Sequence, residues 1–488
     1  MSSHILRSTA GAQLNLRSQL LFHDNMRDNP NDLVTSLMSW NLVHAHETSH
    51  WVRFHGSTIG VLLTLLRATR DSLADYSIRS LDSDDRATFE RRRKDGIPLF
   101  AWNPQATAYA LGSEMADNCL TWLSLHRTYS VLLGFEPLNW SKINQEAMQD
   151  SLTLALHTTW RQWAGRGMLP LESEDYAHVH SFKPLLNGDE PITTRLLFEC
   201  AGLLDEGYHF RGPYPGIMER GLQRMWDINR RGEYGEPYRL AEAMAGRSLS
   251  HSEVLTLIDF ALNPPLPGLH EGVRTIDWRE LYPPYRFLFA AAEMADRHTY
   301  KHSEAVATRP TIDHVSDFFS AVTRDTDIRI GSIDCRLTED SHLRDIADPR
   351  RSFARRMMGI PLLAAEQLHN ERRADGRSIS HFGSLLIDID GYRLLDPGAP
   401  DYPWWFFPPL KVINDGVFGW PAERLTLDEA SELFIGSAVS SAYDDVVNGV
   451  GPLGRDHLPA APFRDPDEAA ALNSMARFHL GVNIGWTC

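Results

Sequence analysis

Apolar residues in the first half of the chain recur at spacings of three and four, which is the pattern of amphipathic helices. The clearest case is "NPNDLVTSLMSWNLVHAHETSHWVRF" at 29–54, where Asn and Asp at the start are typical helix N-caps. One stripe of this helix contains Trp40, Val43, Glu47, His50, Trp51 and Phe54. A carboxylate and an imidazole are therefore expected on an otherwise apolar face.

Three further stretches, at 106–133, 192–210 and 283–306, have the same periodicity. Each of them also carries glutamates, the first two on apolar stripes: Glu114 in the first, Glu199 and Glu206 in the second, and Glu293 in the third. The sequence thus predicts a mainly α fold, in which a helical bundle over residues 31–305 carries buried acidic side chains.

The pattern changes after "ATRPTIDH" at 307–314, where we place a domain boundary. Alternating apolar and polar residues around an Asp-Gly pair at 384–398 predict a β-hairpin. An aromatic, proline-rich loop follows at 401–410, and helical patterns return after it. We therefore expect a mixed α+β region over 306–488, and we assign residues 1–30 to an N-terminal arm.

Composition excludes several classes of partner. The net charge of −16 argues against nucleic acid, because phosphate contacts need clustered Lys and Arg. The four cysteines are far apart, so a disulfide framework or a thiolate zinc site is not expected, and a reducing cytoplasm is the expected compartment. We expect no secretory signal and no membrane span, since the longest apolar stretch near the front, "IGVLLTLL", is too short to cross a bilayer.

The candidate chemistry lies in two repeated motifs. Glu-x-x-His occurs at 47–50 and again at 206–209, and "EMAD" occurs at 114–117 and at 293–296. A spacing of three residues puts a carboxylate and an imidazole on one helix face. A bundle that holds two metal ions uses one Glu from each of two helices and a Glu-x-x-His from each of the other two. The residues of this type are Glu47, His50, Glu114, Glu206, His209 and Glu293.

At these motifs the sequence resembles the ferritin-like di-iron carboxylate proteins. The resemblance implies an oxygenase or oxidase with two iron ions, or an iron/manganese pair, which activates O2 on a small organic substrate and needs an external reductant. Glu47 and Glu206 would then bridge the metals, and Asp205 would orient a ligand histidine. Glu114 and Glu293 would be terminal carboxylates, with His50 and His209 as the imidazole ligands.

Two alternatives remain open. His46-Glu47-x-x-His50 is also the His-Glu-x-x-His of one-zinc hydrolases, with His46 and His50 as ligands and Glu47 as the base. Glu114 would be the third zinc ligand in such a peptidase, while Glu199 is either another bundle carboxylate or a buried partner of Arg195. The other alternative is a non-catalytic helical interaction protein, whose glutamates are structural and which binds no stoichiometric metal.

Overall fold

The computed structural model of the protein describes part of the chain. The described residues are 5–7, 12–15, 20–23, 45–94, 112–134, 145–159, 172–173, 192–211, 226–266, 275–276, 278–294, 359–374, 410–413, 417–419, 470 and 474.

Helices account for most of the described residues, so the predicted mainly α fold is confirmed. The helices are α1 at residues 45–55, α2 at Thr58–Ser80, α3 at Ser83–Lys94, α4 at Ser113–Leu133, α5 at Gln145–Thr153, α6 at Thr194–Arg211, α7 at Glu236–Ala245, α8 at His251–Leu262, α9 at Trp278–Leu281, α10 at Pro283–Glu293 and α11 at Gly359–Ala374. A π-helical turn at Leu154–Thr159 continues α5, and a 3-10 turn at Glu233–Gly235 precedes α7. Among the described residues, no helix combines the length and the hydrophobicity needed to cross a bilayer.

The four helical stretches predicted from the sequence coincide with α1, α4, α6 and α10 where they are described. Helix α2 packs along α4, while α10 packs against α7 and α8. Helix α6 contacts α4, which precedes it in the chain, and also α7, α8 and the 3-10 turn, which follow it. This position lets α6 bring side chains to α1.

A tight joint between α1 and α2 fixes the end of α1. Ser57 caps α2, because its hydroxyl accepts a hydrogen bond from the Gly60 backbone N–H. A Cβ at Gly60 would lie 1.6 Å from the Phe54 carbonyl oxygen, so only glycine fits this close approach. From α11, Arg372 donates hydrogen bonds to the Gly56 carbonyl at 2.7 and 3.0 Å and forms an ion pair with Asp259 of α8.

The described strands are short and form two sheets. Strands β1 (Ile5–Arg7), β2 (Ala12–Asn15), β3 (Leu20–His23), β6 (Leu410–Ile413) and β7 (Val417–Gly419) form one sheet in that order. In this sheet β3 and β6 are parallel and the other pairs are antiparallel. Strands β4 (Glu172–Ser173) and β5 (Thr275–Ile276) form the second sheet, which is parallel.

Most of the expected α+β region at 306–488 lies outside the described residues. That includes the predicted hairpin at 384–398 and nearly all of the aromatic loop at 401–410. Helix α11 and strands β6 and β7 are the elements described there.

His55, the last residue of α1, makes the stability of the fold depend on pH. Burial and the charge of Arg67 lower the pKa of His55 to about 3. Its pKa in the unfolded chain is near 6.5, so the unfolded state binds more protons between pH 6.5 and about 3. This group therefore destabilises the fold as the pH falls through that window. Between pH 7.5 and 5.5 the loss should be about 1.4 kcal/mol.

Urea unfolding of the metal-free protein across this pH range measures the effect. The control variant is His55→Leu, which keeps an apolar side chain beside Trp51 and Phe54 but cannot titrate. Its free energy of unfolding should fall less steeply with acidification than that of the wild type. If the free energy of unfolding fell equally steeply with pH in wild type and His55→Leu, this pH dependence would not come from His55.

Candidate metal centre

Helix α1 presents His46 and His50 one turn apart, on the same face. Their ring centroids are 4.6 Å apart and the rings are nearly perpendicular, at 87°. Both imidazoles are buried, with exposed fractions of 2% and 0%. The close pair of rings inside the protein provides two nitrogen ligands directed to one place.

Helix α6 adds a carboxylate to this pair. Oε2 of Glu199 lies 3.3 Å from Nε2 of His46 and 3.3 Å from Nε2 of His50. The three side chains form a group whose ligand atoms all lie within 4.8 Å of one another. Nε of Arg195 forms an ion pair with Oε1 of Glu199 at 3.9 Å. Within the described residues, this oxygen and Nε2 of His50 are buried and make no hydrogen bond. A cation between them would satisfy both atoms.

A second carboxylate of α6 orients the ring of His46. The Nδ1 of His46 donates a hydrogen bond to Glu206, which directs Nε2 towards Glu199. Ligand histidines in metalloproteins commonly donate their other ring N–H to a carboxylate in this way, which fixes the tautomer and the ring orientation. The Glu206 side chain is itself only 14% exposed.

A buried ion pair joins α1 to α6 on the same side of the helices. Asp205 accepts hydrogen bonds from the Arg53 guanidinium at 2.8 and 3.1 Å and from the Ser49 hydroxyl at 2.5 Å. Arg53 and Asp205 are 1% and 0% exposed. The two helices are therefore held in register beside the His46, His50 and Glu199 group.

The charges of the group favour a cation. Burial alone would lower the pKa of His46, but the carboxylates of Glu206 and Glu199 outweigh it and raise that pKa well above 6.5. Burial would raise the pKa of Glu199, but the imidazoles of His50 and His46 lower it to about 2. Burial lowers the pKa of His50. Glu199 is therefore an anion at neutral pH, and either a proton or a metal ion can occupy the place between it and His46.

The residues predicted as ligands lie in different places. Glu47 is fully buried in α1, adjacent to His46, and its charge contributes to the raised pKa of His46. Glu114 is exposed in the first turn of α4, where the Tyr76 hydroxyl donates a hydrogen bond to it at 3.4 Å. Glu293 is the last residue of α10 and partly exposed. The backbone of His209 belongs to α6, and its side chain lies outside the described atoms.

Glu199 shares a stripe of α6 with Glu206, but it was not among the predicted metal ligands. Two imidazoles and one carboxylate form a donor set used by catalytic zinc sites, and the same set holds non-haem iron. The residues present therefore fit a single metal ion. No family model, no curated protein and no solved structure matches this chain.

Proposed function

We propose that the protein is a metal-dependent hydrolase in which His46, His50 and Glu199 hold one zinc ion. The observation that carries this proposal is the position of Glu199 Oε2, at 3.3 Å from Nε2 of both histidines. The histidines come from a His-Glu-x-x-His helix, and the carboxylate comes from a second helix. Three protein ligands are typical of catalytic zinc sites, which keep a fourth position open.

We favour zinc because the three donors and the carboxylate of Glu47 suit hydrolysis. Zinc bound by such a set lowers the pKa of a water molecule to about 7 and polarises a carbonyl group. A hydrolase also needs a base near that water. Glu47, between the two histidines in sequence and fully buried, is the base we assign. Its carboxylate would accept a proton from water and pass that proton to the leaving group.

The surroundings of the donors serve the same chemistry. His46, Glu47, His50 and Glu199 are each at most 2% exposed, so bulk water is largely excluded from the reacting groups. In such a site the interactions of charged groups are stronger than in water. The Glu206 hydrogen bond keeps Nε2 of His46 free of its proton when a metal ion is bound there. Glu206 is thus a positioning residue, which acts on the metal through His46.

A second candidate function is the di-iron oxygenase or oxidase that the motifs suggest. The observation in its favour is the contact of Glu206 with His46, because it brings a second carboxylate of α6 next to the group of His46, His50 and Glu199. In this proposal Glu47, His50, Glu206 and His209 would hold two iron ions, or an iron/manganese pair. The enzyme would then need O2, a small organic substrate and an external reductant.

Glu114 and Glu293 are the weak part of the second candidate. It needs further carboxylates at the centre, and Glu114 is exposed beside Tyr76. The zinc proposal does not need either residue, once Glu199 replaces Glu114 as the third ligand. For this reason we favour a single zinc ion.

Metal analysis of protein purified without a metal-affinity tag tests both candidates. Inductively coupled plasma mass spectrometry should find about one zinc per chain. About two irons, with a near-ultraviolet oxo-bridge band, would reject the zinc proposal in favour of the second candidate. Protein that binds neither metal, even after incubation with each of them, would reject both and leave the non-catalytic interaction protein.

Removal of the Glu199 carboxylate should reduce zinc binding much more than removal of the exposed Glu114 carboxylate. We expect Glu199→Ala to lose stoichiometric zinc and Glu114→Ala to keep it, since Glu199 lies beside the two imidazoles and Glu114 does not. His209→Ala should also keep zinc, whereas it should lose metal if the site is di-iron. Zinc retained by Glu199→Ala but lost by Glu114→Ala would show that the third ligand has been misassigned.

We propose that the helices of residues 31–305 form a bundle around the metal and that residues 306–488 form a separate α+β region. The cytoplasm is the compartment we propose, in keeping with the free thiols of Cys119 and Cys200 within the described residues. Peptides and other small molecules with a hydrolysable carbonyl are the proposed substrates.

A further inference from the structure

A glycine of α6 faces the ring of His46. Gly202 lies three residues after Glu199 and four before Glu206, so the three residues share one face of the helix. A Cβ built on Gly202 would lie 2.9 Å from Cε1, 3.0 Å from Nδ1 and 3.0 Å from Nε2 of His46. Three atoms of the imidazole therefore lie against the place that any other side chain would occupy.

The ring of His46 is confined on its other sides as well. Glu206 accepts a hydrogen bond from Nδ1, Glu199 contacts Nε2, and the ring of His50 stands edge-on at 4.6 Å. A ring pushed away from Gly202 must therefore give up its contact with a carboxylate or move towards His50. Any of these shifts would move Nε2 away from the position that it shares with Glu199.

We propose that Gly202 is a positioning residue, whose missing side chain creates the slot that holds His46 as a metal ligand. This inference rests on the proposed function, since it concerns the same metal site. Glycine within a helix is unfavourable, because it loses more backbone freedom on folding than alanine does. A glycine kept in the middle of α6 is explained by the space that the imidazole requires.

The same helix offers a matched control. A Cβ on Gly207 would lie 3.9 and 4.0 Å from Nδ1 and Cε1 of His251, which is ordinary van der Waals contact. Gly207→Ala therefore makes the same chemical change in α6 without a clash. It separates the effect of alanine in this helix from the effect of alanine against His46.

The experiment measures zinc affinity by competition with a chromophoric chelator, for wild type, Gly202→Ala and Gly207→Ala. We expect Gly202→Ala to bind zinc about 10- to 100-fold more weakly, as is usual when the support of a ligand is disturbed, and Gly207→Ala to bind it unchanged. The d–d absorption of the cobalt-substituted protein should differ from wild type in Gly202→Ala alone. Equal affinities and equal spectra in all three proteins would overturn the inference while leaving the metal site intact.

A second measurement covers the case in which Gly202→Ala folds poorly. In metal-free protein, the melting temperature lost on Gly202→Ala should be recovered when the same change is made in a His46→Ala background, because the ring that it meets is then absent. An equal loss in both backgrounds would overturn the inference. If wild type binds neither zinc nor cobalt, the proposed function is rejected instead. The melting temperatures would then test only whether a side chain at position 202 clashes with the His46 ring.

Discussion

Replacement of Glu47 by glutamine is expected to lower kcat by about 10²- to 10⁴-fold while the protein keeps one zinc ion per chain. The change preserves the size of the side chain and removes its ability to accept a proton. The change leaves His46, His50 and Glu199, the proposed zinc ligands, unaltered. Loss of rate without loss of metal is the expected signature of a base that acts on water beside the ion.

This variant also separates the two candidate functions, because Glu47 has a different role in each. In the zinc proposal it is the base and does not bind the metal. In the di-iron alternative it bridges two ions, so that glutamine should lower the metal content itself. Metal content and the cleavage rate of a fluorescence-quenched peptide library should therefore be measured on the same preparation.

Glu114→Gln is the matched control for Glu47→Gln. It makes the same isosteric change at an exposed glutamate of α4 and should leave both rate and metal content unchanged. Full activity in Glu47→Gln would contradict the assigned base. A loss of metal in Glu47→Gln would contradict the zinc ligand set.

Periodicity was enough to predict the helices that carry the site. The apolar stripe of α1 placed Glu47 and His50 inside, and both are fully buried. Periodicity assigns residues to a face of a helix, but it does not determine which helices face each other. The sequence therefore favoured Glu114 as a ligand over Glu199, although both lie on apolar stripes. The packing of α6 brings Glu199 to the histidines, while Glu114 is exposed.

Other features of the site depend on that same packing. A glycine at position 202 is a helix-weakening residue in the sequence, and its meaning becomes clear only when His46 lies against it. The motifs and the periodicity gave no role to Ser49 or Arg53, and both donate to Asp205. The sequence suggested that Asp205 supports a ligand histidine. In the structure Asp205 accepts hydrogen bonds from this serine and arginine, and Glu206 accepts one from Nδ1 of His46.

Asp205→Ala should lower the free energy of unfolding by about 3–5 kcal/mol, because it leaves the Arg53 charge buried without its carboxylate. Arg53 is 1% exposed, so water cannot easily replace the lost partner. The variant also removes the acceptor of the Ser49 hydroxyl. Urea unfolding should be measured in the presence of a chelator, since metal that binds the folded state adds to its stability.

The Asp75–Arg79 pair of α2 provides the comparison for Asp205→Ala. The Nε of Arg79 lies 2.9 Å from Asp75, but the arginine is 47% exposed, so water can solvate its charge after Asp75→Ala. Asp75 itself is only 4% exposed, but Asp75→Ala leaves no buried arginine, so it should cost less than Asp205→Ala. Removal of both buried partners, as in Arg53→Leu with Asp205→Leu, should cost less than Asp205→Ala alone, because no buried charge is left unpaired. Equal losses of unfolding free energy in Asp205→Ala and Asp75→Ala would mean that the Arg53–Asp205 pair does not hold α1 against α6. The position of His46 relative to Glu199 would then depend on the contacts between those two side chains.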